Sequence, residues 1–156
     1  MLRAAAPHEG CALLLGLQQN AELSLERIWP CCNSWLPAEQ RRQRFLLDPR
    51  EQLHAQRWAR AHQLQVIGAA HSHPSSPAVP SATDLELCFG PTLMLIRSGL
   101  TEPALSGDDP APLGDLPATV VEPLQPWRAW WIAEDSGQAP QELPLRLSER
   151  AGHLGE

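Results

Sequence analysis

The stretch GAAHSHPSSPAVPSATDLELC (Gly68–Cys88) joins an apolar segment to a short polar one through a loop with three prolines. The segment LQVIGAAHSH, which begins four residues before this stretch and ends at its second histidine, is mostly apolar. It predicts a central strand over Leu64–His73. Ser81 is a good helix N-cap, and it predicts a short helix over Ser81–Cys88. The stretch therefore predicts a strand, a stiff connection and a helix, in that order.

Three side chains of this stretch have the chemistry of metal ligands. Residues i and i+2 of a strand point to the same face, so we expect His71 and His73 to project side by side. Asp84 falls in the first helical turn, where the helix dipole favours a carboxylate. Two imidazoles and a carboxylate suit zinc and leave a fourth position for water. Ser81 and Asp84 also have the spacing of an ordinary capping box, so a helix cap alone would explain Asp84.

The composition limits the class of protein. A chain of 156 residues with 43% hydrophobic residues predicts one domain with a real core, and a net charge of −6 disfavours nucleic acid as a partner. The apolar run near the start is too short for a signal peptide core or a membrane span, so we expect a soluble, cytoplasmic protein that binds no membrane. Four cysteines, two of them adjacent, predict reduced thiols rather than a disulfide framework or a thiolate zinc site.

The rest of the chain predicts an α+β domain with a mixed central sheet and flanking helices. Leu23 and Leu25 alternate with polar residues, which predicts a half-buried strand antiparallel to the first. Asp48 is a suitable N-cap for a helix with Pro49 in its first position. The predicted elements are strands over 11–17, 22–29 and 91–98, a loop over 31–45, a helix over 48–63 and a closing hairpin from 127 to 149. We also expect a Pro/Gly/Asp-rich insertion at about 100–126, with a brief extended piece at 118–121, and a frayed tail at 151–156.

The segment HSHPSSPAVPSATD (His71–Asp84) resembles the signature of the JAMM (MPN+) metallopeptidase family, His-x-His-Pro followed by Ser-x-x-Asp. The upstream segment PHEGCALLLG (Pro7–Gly16) is similar to the part of the family that carries its glutamate, which nominates Glu9. TLMLIRS and RAWWIAED resemble the closing strands of the family. The chain looks like its compact stand-alone bacterial members, which implies a single MPN-like, cytidine-deaminase-like domain over residues 1–150.

The resemblance implies a role for each of five residues. His71, His73 and Asp84 would hold one zinc ion per chain. Glu9 would act as general base and then as general acid, and Ser81 would donate a hydrogen bond to the oxyanion. Glu22 and Glu26 compete with Glu9 for the role of base, but they lie on the polar side of a predicted strand, and we expect them to be solvated.

The implied reaction is hydrolysis of an amide or isopeptide bond, after the Gly-Gly tail of a ubiquitin-like carrier of the sulfur-carrier type. A catalytically inactive MPN-type scaffold that binds protein partners is an alternative, although all five family residues are present. A zinc deaminase is a weaker alternative, because its Pro-Cys-x-x-Cys motif is missing at Pro30–Cys32.

A basic sector of six arginines has two alternative explanations. It could bind an acidic partner, or it could form a solvated helix face with Asp48 and Glu51 as local partners. It consists of Arg41, Arg42, Arg44, Arg50, Arg57 and Arg60.

Overall fold

The computed structural model describes residues 2–20, 22–88, 90–100, 126–134 and 138–146. The predicted α+β class is confirmed. The predicted insertion at about 100–126, its extended piece and the tail fall almost entirely outside the described residues and stay predictions. In chain order the elements are a 3₁₀ helix (Leu2–Ala5), β1 (Cys11–Gln19), β2 (Glu22–Cys31), a second 3₁₀ helix (Ala38–Arg42), α1 (Pro49–Ala61), β3 (Gln65–His73), α2 (Ala82–Glu86), β4 (Thr92–Ser98), β5 (Trp127–Ile132) and β6 (Gln141–Leu143).

The six described strands form one mixed sheet in the order β2-β1-β3-β4-β5-β6. β3 and β4 are parallel, and the other neighbouring strands are antiparallel, including the predicted pair β1–β2 and the closing pair β5–β6. Parallel neighbours need a crossover instead of a tight turn. The chain between β3 and β4 therefore returns alongside the sheet, and α2 lies on this crossover.

The two faces of the sheet carry separate cores. One face packs around Leu14, Ala70 and Leu95. The opposite face has one cluster beneath α1, with Leu13 and Ala55, and a second cluster around the crossover and β4. On this face, β3 lies between the cluster beneath α1 and the cluster around β4. The His71 side chain, which β3 carries, is therefore enclosed on both sides.

α1 begins as predicted. Asp48 Oδ1 accepts a hydrogen bond from the Arg50 backbone N–H at 2.8 Å, and Pro49 occupies the first position. The helix ends at Ala61, two residues before the predicted end, because Gln63 adopts a positive φ of 57°.

The predicted burial of β2 is only partly right. Leu23 packs against the core as expected, but Leu25 is 42% exposed. Leu15 faces Arg27 while Gly16 faces Leu25, so Glu26 is an extra residue in a bulge. β2 lies at the edge of the sheet, and the bulge interrupts its alternation there.

Candidate metal centre

His71 and His73 converge as their strand spacing predicts. Both are buried, and their Nε2 atoms lie 3.0 Å apart. His73 Nδ1 donates a hydrogen bond to the Pro77 carbonyl at 2.7 Å. A carbonyl can only accept, so Nδ1 carries a proton, and this bond orients the ring with Nε2 toward the cluster. The proline-rich loop thus fixes the ring of one candidate ligand.

Asp84 joins the histidines through its position in α2. Its Oδ1 lies 3.4 Å from His71 Nε2, and its Oδ2 lies 3.4 Å from His73 Nε2. The same carboxylate completes a capping box, in which the Ser81 N–H donates to Asp84 Oδ2 at 2.7 Å and the Asp84 N–H donates to Ser81 Oγ at 3.1 Å. The helix cap and the cluster are therefore compatible, because the cap aims the carboxylate at the imidazoles.

The spacing of the three side chains is close to that of a tetrahedral zinc site. Ligand bonds of about 2.0–2.2 Å require neighbouring ligand atoms to lie about 3.3–3.6 Å apart. The distances from His71 Nε2 to Asp84 Oδ1 and from His73 Nε2 to Asp84 Oδ2 fall inside this interval, whereas the 3.0 Å between the two Nε2 atoms is slightly shorter. The ligand atoms of the three residues all lie within 4.8 Å of one another. Within the described ranges, this is the only group of three or more His, Cys, Asp or Glu side chains with such proximity.

The surroundings of the three side chains shift their pKa values in different directions. Burial lowers the pKa of His71, which favours the neutral ring that a metal ligand needs. Burial alone would raise the pKa of Asp84, but hydrogen bonds with His71 and His73 lower it well below its usual range. Burial alone would lower the pKa of His73, but its hydrogen bonds to Asp84 and to the Pro77 carbonyl raise it.

Glu9 immediately precedes Gly10 and β1 and is 4% exposed. Its Oε2 has no hydrogen-bond partner among the described residues, which is unusual for a buried carboxylate oxygen. Burial raises the pKa of Glu9 to about 7, while His73 acts to lower it and Asp84 to raise it further. The carboxylate is thus buried within electrostatic reach of the cluster and has an oxygen available for a ligand or water.

The two competing glutamates have different surroundings. Glu22 and Glu26 are exposed on edge strand β2. Ser24 Oγ donates to Glu26 Oε1 at 2.7 Å. Burial therefore distinguishes Glu9 from both of them, as their predicted solvation requires.

Ser81 is exposed, and its Oγ accepts the Asp84 N–H. A hydroxyl group has one donor and two acceptor sites, so accepting this bond leaves the O–H free to donate. The capping function and the expected function toward an oxyanion do not exclude each other.

Sequence reasoning missed two residues by treating the region before α1 as an ordinary loop. The Phe45 ring stacks on the His71 ring, with centroids 4.5 Å apart and planes inclined by 23°. Asn33 bonds its side-chain amide to the backbone of Glu9 at 3.1 Å. Only Asn33 had a local signal in the sequence, because asparagine is a residue type that favours Asx-turns. In the structure its Oδ1 accepts the N–H of Trp35, two residues later, as such a turn requires.

Part of the basic sector has local partners. Arg50 pairs with Asp48 at 2.7 Å. Arg41 Nε donates to the Trp35 carbonyl at 2.7 Å, and the Arg44 guanidinium lies 5.3 Å from the centroid of a Trp35 ring. Asp48 acts as the predicted local partner, whereas the Glu51 carboxylate accepts the Cys32 N–H at 2.8 Å.

A cavity of about 830 Å³ opens beside His73. Its lining includes Trp127 and the arginines Arg3, Arg97 and Arg128. Of the three candidate metal ligands, His73 alone lines this cavity.

The thiols contribute nothing to this cluster. Cys31 and Cys32 are free cysteines, and neither belongs to the metal-ligating group found among the described residues. Burial raises the pKa of Cys31 to about 12, so this thiol is protonated in the metal-free protein at neutral pH.

Comparisons with known proteins identify a matching family and a similar protein. The sequence pattern of a family described as prokaryotic homologs of the JAB domain matches residues 1–133. A protein of Pyrococcus furiosus named desampylase is 38% identical over 78 residues, which are 50% of each chain. The chain therefore spans about half the length of this relative.

Two solution structures share the fold. A protein of Desulfitobacterium hafniense is 31% identical, with a TM-score of 0.70 over 98% of this chain and 87% of its own. A protein of Salinibacter ruber is 26% identical, with a TM-score of 0.57 over 98% of this chain and 86% of its own.

In the parts of the chain that the structure describes, no helix combines the length and the apolar character that a membrane crossing requires.

Proposed function

The chain belongs to the family of prokaryotic homologs of the JAB domain, and from this membership we propose that it is a JAMM-type zinc isopeptidase. Its proposed substrate is a ubiquitin-like protein of the sulfur-carrier type, cleaved after the Gly-Gly tail. The relative named desampylase supports a ubiquitin-like small protein as the substrate class. We also propose a cytoplasmic location, with which the four free thiols are compatible.

One observation carries the proposal. His71, His73 and Asp84 converge at distances close to those of a zinc site. Glu9 is buried within their electrostatic reach, and its Oε2 has no hydrogen-bond partner in the described part of the chain. A structural zinc site has four protein ligands and needs no base, whereas a catalytic site has three ligands and an open position. Three ligands and one acid–base group are the arrangement that hydrolysis requires.

Zinc bound by His71, His73 and Asp84 would supply a water of lowered pKa and would polarise the scissile carbonyl. Glu9 accepts a proton at its carboxylate from the attacking water and afterwards gives it to the leaving amine nitrogen. Burial raises the pKa of Glu9 to about 7, so the group can both accept and release a proton near neutral pH. Ser81 Oγ donates a hydrogen bond to the carbonyl oxygen as that atom gains negative charge.

The experiment uses the zinc-loaded protein and candidate carriers that end in Gly-Gly-X. Intact-mass measurement should show carriers that now end in Gly-Gly, together with released X. The masses of the two products should add up to the mass of the intact carrier plus one water. The zinc-loaded Glu9→Gln variant is the matched control and should leave the mass unchanged over the time in which the wild-type protein cleaves the carrier. A zinc-loaded wild-type protein that cleaves none of the carriers would contradict the proposed substrate and favour the inactive scaffold.

A further inference from the structure

The side chain of Asn33 uses its complete hydrogen-bonding capacity. Its Nδ2 donates to the carbonyls of Glu9 at 3.1 Å and Arg44 at 2.9 Å. Its Oδ1 accepts the N–H groups of Trp35 at 3.1 Å and Leu46 at 3.2 Å. A carboxamide offers two donors and two acceptor sites, so every site is occupied by backbone. Asn33 therefore joins three separate stretches of chain through one planar group.

One of these stretches carries the proposed base. The Glu9 carbonyl accepts from Asn33, and the Glu9 N–H donates to the Arg41 carbonyl at 2.7 Å. On the following residue, the Gly10 N–H donates to Ser72 Oγ at 2.9 Å, and the Gly10 carbonyl accepts the Ser72 N–H at 3.0 Å. The backbone at Glu9 and Gly10 is thus held between the segment Asn33–Leu47 and β3.

The same segment also contacts the metal cluster. Leu46 N–H bonds to Asn33, and the preceding Phe45 stacks on the His71 ring. Asn33 and Leu47 form an isolated antiparallel bridge that closes the segment. One closed loop thus contacts both the proposed base and one proposed metal ligand.

We propose that Asn33 is a positioning residue for the reaction. By clamping the Glu9 peptide to the segment Asn33–Leu47, it fixes the Glu9 carboxylate in relation to the metal cluster. Asn33 acts through Glu9 and contacts neither substrate nor metal. The catalytic consequence rests on the proposed function, whereas the clamp itself can be measured without turnover.

The first test measures the clamp by amide hydrogen exchange in the whole metal-free chain. Asn33→Ala should reduce the protection of the Glu9 N–H at least tenfold and leave the Leu14 N–H, in the centre of β1, unchanged. The matched control is Gln40→Ala, which removes the bond from Trp35 Nε1 inside the same segment without contacting Glu9. Unchanged protection at Glu9, or an equal loss at Glu9 and Leu14, would overturn the clamp.

The second test separates positioning from a general effect on the fold. Asn33→Ala should lower kcat at least tenfold with unchanged KM and unchanged zinc content. In a Glu9→Gln background, the same substitution should lower the residual kcat less than twofold, because its effect passes through the Glu9 carboxylate. An equal loss in both backgrounds would show that Asn33 supports the fold alone.

A second variant keeps the proposal testable if Asn33→Ala does not fold. Asn33→Asp retains the two acceptors and loses both donors, so it should release the Glu9 carbonyl while keeping the turn at Trp35. If the wild-type protein cleaves no carrier, the proposed function fails, and hydrogen exchange at Glu9 still decides whether Asn33 clamps the peptide.

Discussion

At His73 the two ring nitrogens have separate tasks. Nδ1 donates to the Pro77 carbonyl, while Nε2 faces Asp84 Oδ2 at 3.4 Å. Asp84 has a similar division, because it caps α2 and faces both imidazoles. A second hydrogen bond therefore orients His73 and Asp84, whereas His71 Nδ1 has no hydrogen-bond partner among the described residues and its ring stacks on Phe45.

Replacing Asp84 with asparagine separates capping from metal binding. An asparagine oxygen can still accept the Ser81 N–H, but it is neutral and a poorer zinc ligand. We expect Asp84→Asn to keep the fold and to weaken zinc affinity by more than about tenfold, since even outer-shell changes cost that much. Chelator competition measures the affinity, and Asp48→Asn at the N-cap of α1 is the control. Unaltered affinity would mean that Asp84 only caps its helix.

Glu9→Gln tests whether the carboxylate is a base or a ligand. We expect the variant to keep its full equivalent of zinc, while kcat falls by about 10²–10⁴-fold, the range that general base catalysis contributes. Elemental analysis and carrier cleavage measure the two quantities. Glu22→Gln, on the exposed edge strand, should change neither. Loss of zinc from Glu9→Gln would show that the assigned role is wrong.

The pKa of Glu9 predicts a pH dependence for the metal-free protein. Its folded pKa, about 7, lies above the ordinary value of 4.5, so the folded state binds this proton more tightly. The stabilisation is complete below pH 4.5 and is lost as the pH rises through 7. His73 and Asp84 also titrate and act on Glu9, so the measured quantity is the unfolding free energy of wild type minus that of Glu9→Gln. This difference should fall between pH 4.5 and 7 and then level off, and a flat difference would contradict the burial of the charge.

The local part of the site could be predicted from sequence, and the tertiary part could not. His71 and His73 follow from strand periodicity, and Asp84 follows from the helix cap. Glu9 is about 60 residues away and was nominated by family resemblance, since no local rule relates it to β3. Phe45 acts through a contact made only after folding, and the turn signal at Asn33 does not relate that residue to Glu9, so neither residue could be assigned to the site from the sequence.

At the scale of elements, the crossover between β3 and β4 delivers Asp84 to the face of the sheet where the histidines lie. Trp130 Nε1 on β5 donates to the Ala78 carbonyl of the crossover at 2.9 Å, and Ala78 is buried against β4 residues. The proline-rich loop is thus tied to the sheet at its middle. The close pairing of β3 with β4 therefore fixes the position of α2, which carries Asp84, relative to the two histidines of β3.

Gly68 tests this pairing. A Cβ at Gly68 would collide with the backbone carbonyl of Leu93 on β4, so alanine would force the two strands apart. We expect Gly68→Ala to lower the free energy of unfolding by about 1–3 kcal/mol, a typical cost of overpacking. Chemical denaturation measures it, with exposed Gln65→Ala on the same strand expected to stay within about 0.5 kcal/mol. A fully stable Gly68→Ala protein would mean that the strands are less closely packed.

The helices and strands were largely predictable from the sequence, whereas the details of strand pairing were less so. The N-cap Asp48 and the turn chemistry gave α1 and the antiparallel start of the sheet. The bulge at Glu26 was not visible, because alternation in the sequence shows polarity and not pairing. Leu25 is exposed for that reason, at an edge where burial depends on a single neighbouring strand.

For the whole molecule, the decisive feature is that the three proposed metal ligands lie on the sheet face that also carries two apolar clusters. The strand order β2-β1-β3-β4-β5-β6 places β3 near the middle, with β1 and β4 as its neighbours. Local patterns do not give this order. It brings the carboxylate before β1, the histidines of β3 and the crossover into one region.

The central claim is that one zinc ion binds between His71, His73 and Asp84, and anomalous diffraction at the zinc edge tests it most directly. In crystals of the zinc-loaded chain, we expect one peak at about 2.0–2.2 Å from both Nε2 atoms and from one Asp84 oxygen. The same crystals of His71→Ala should have no peak there. A zinc-loaded wild-type crystal with no density between these three side chains would contradict the account.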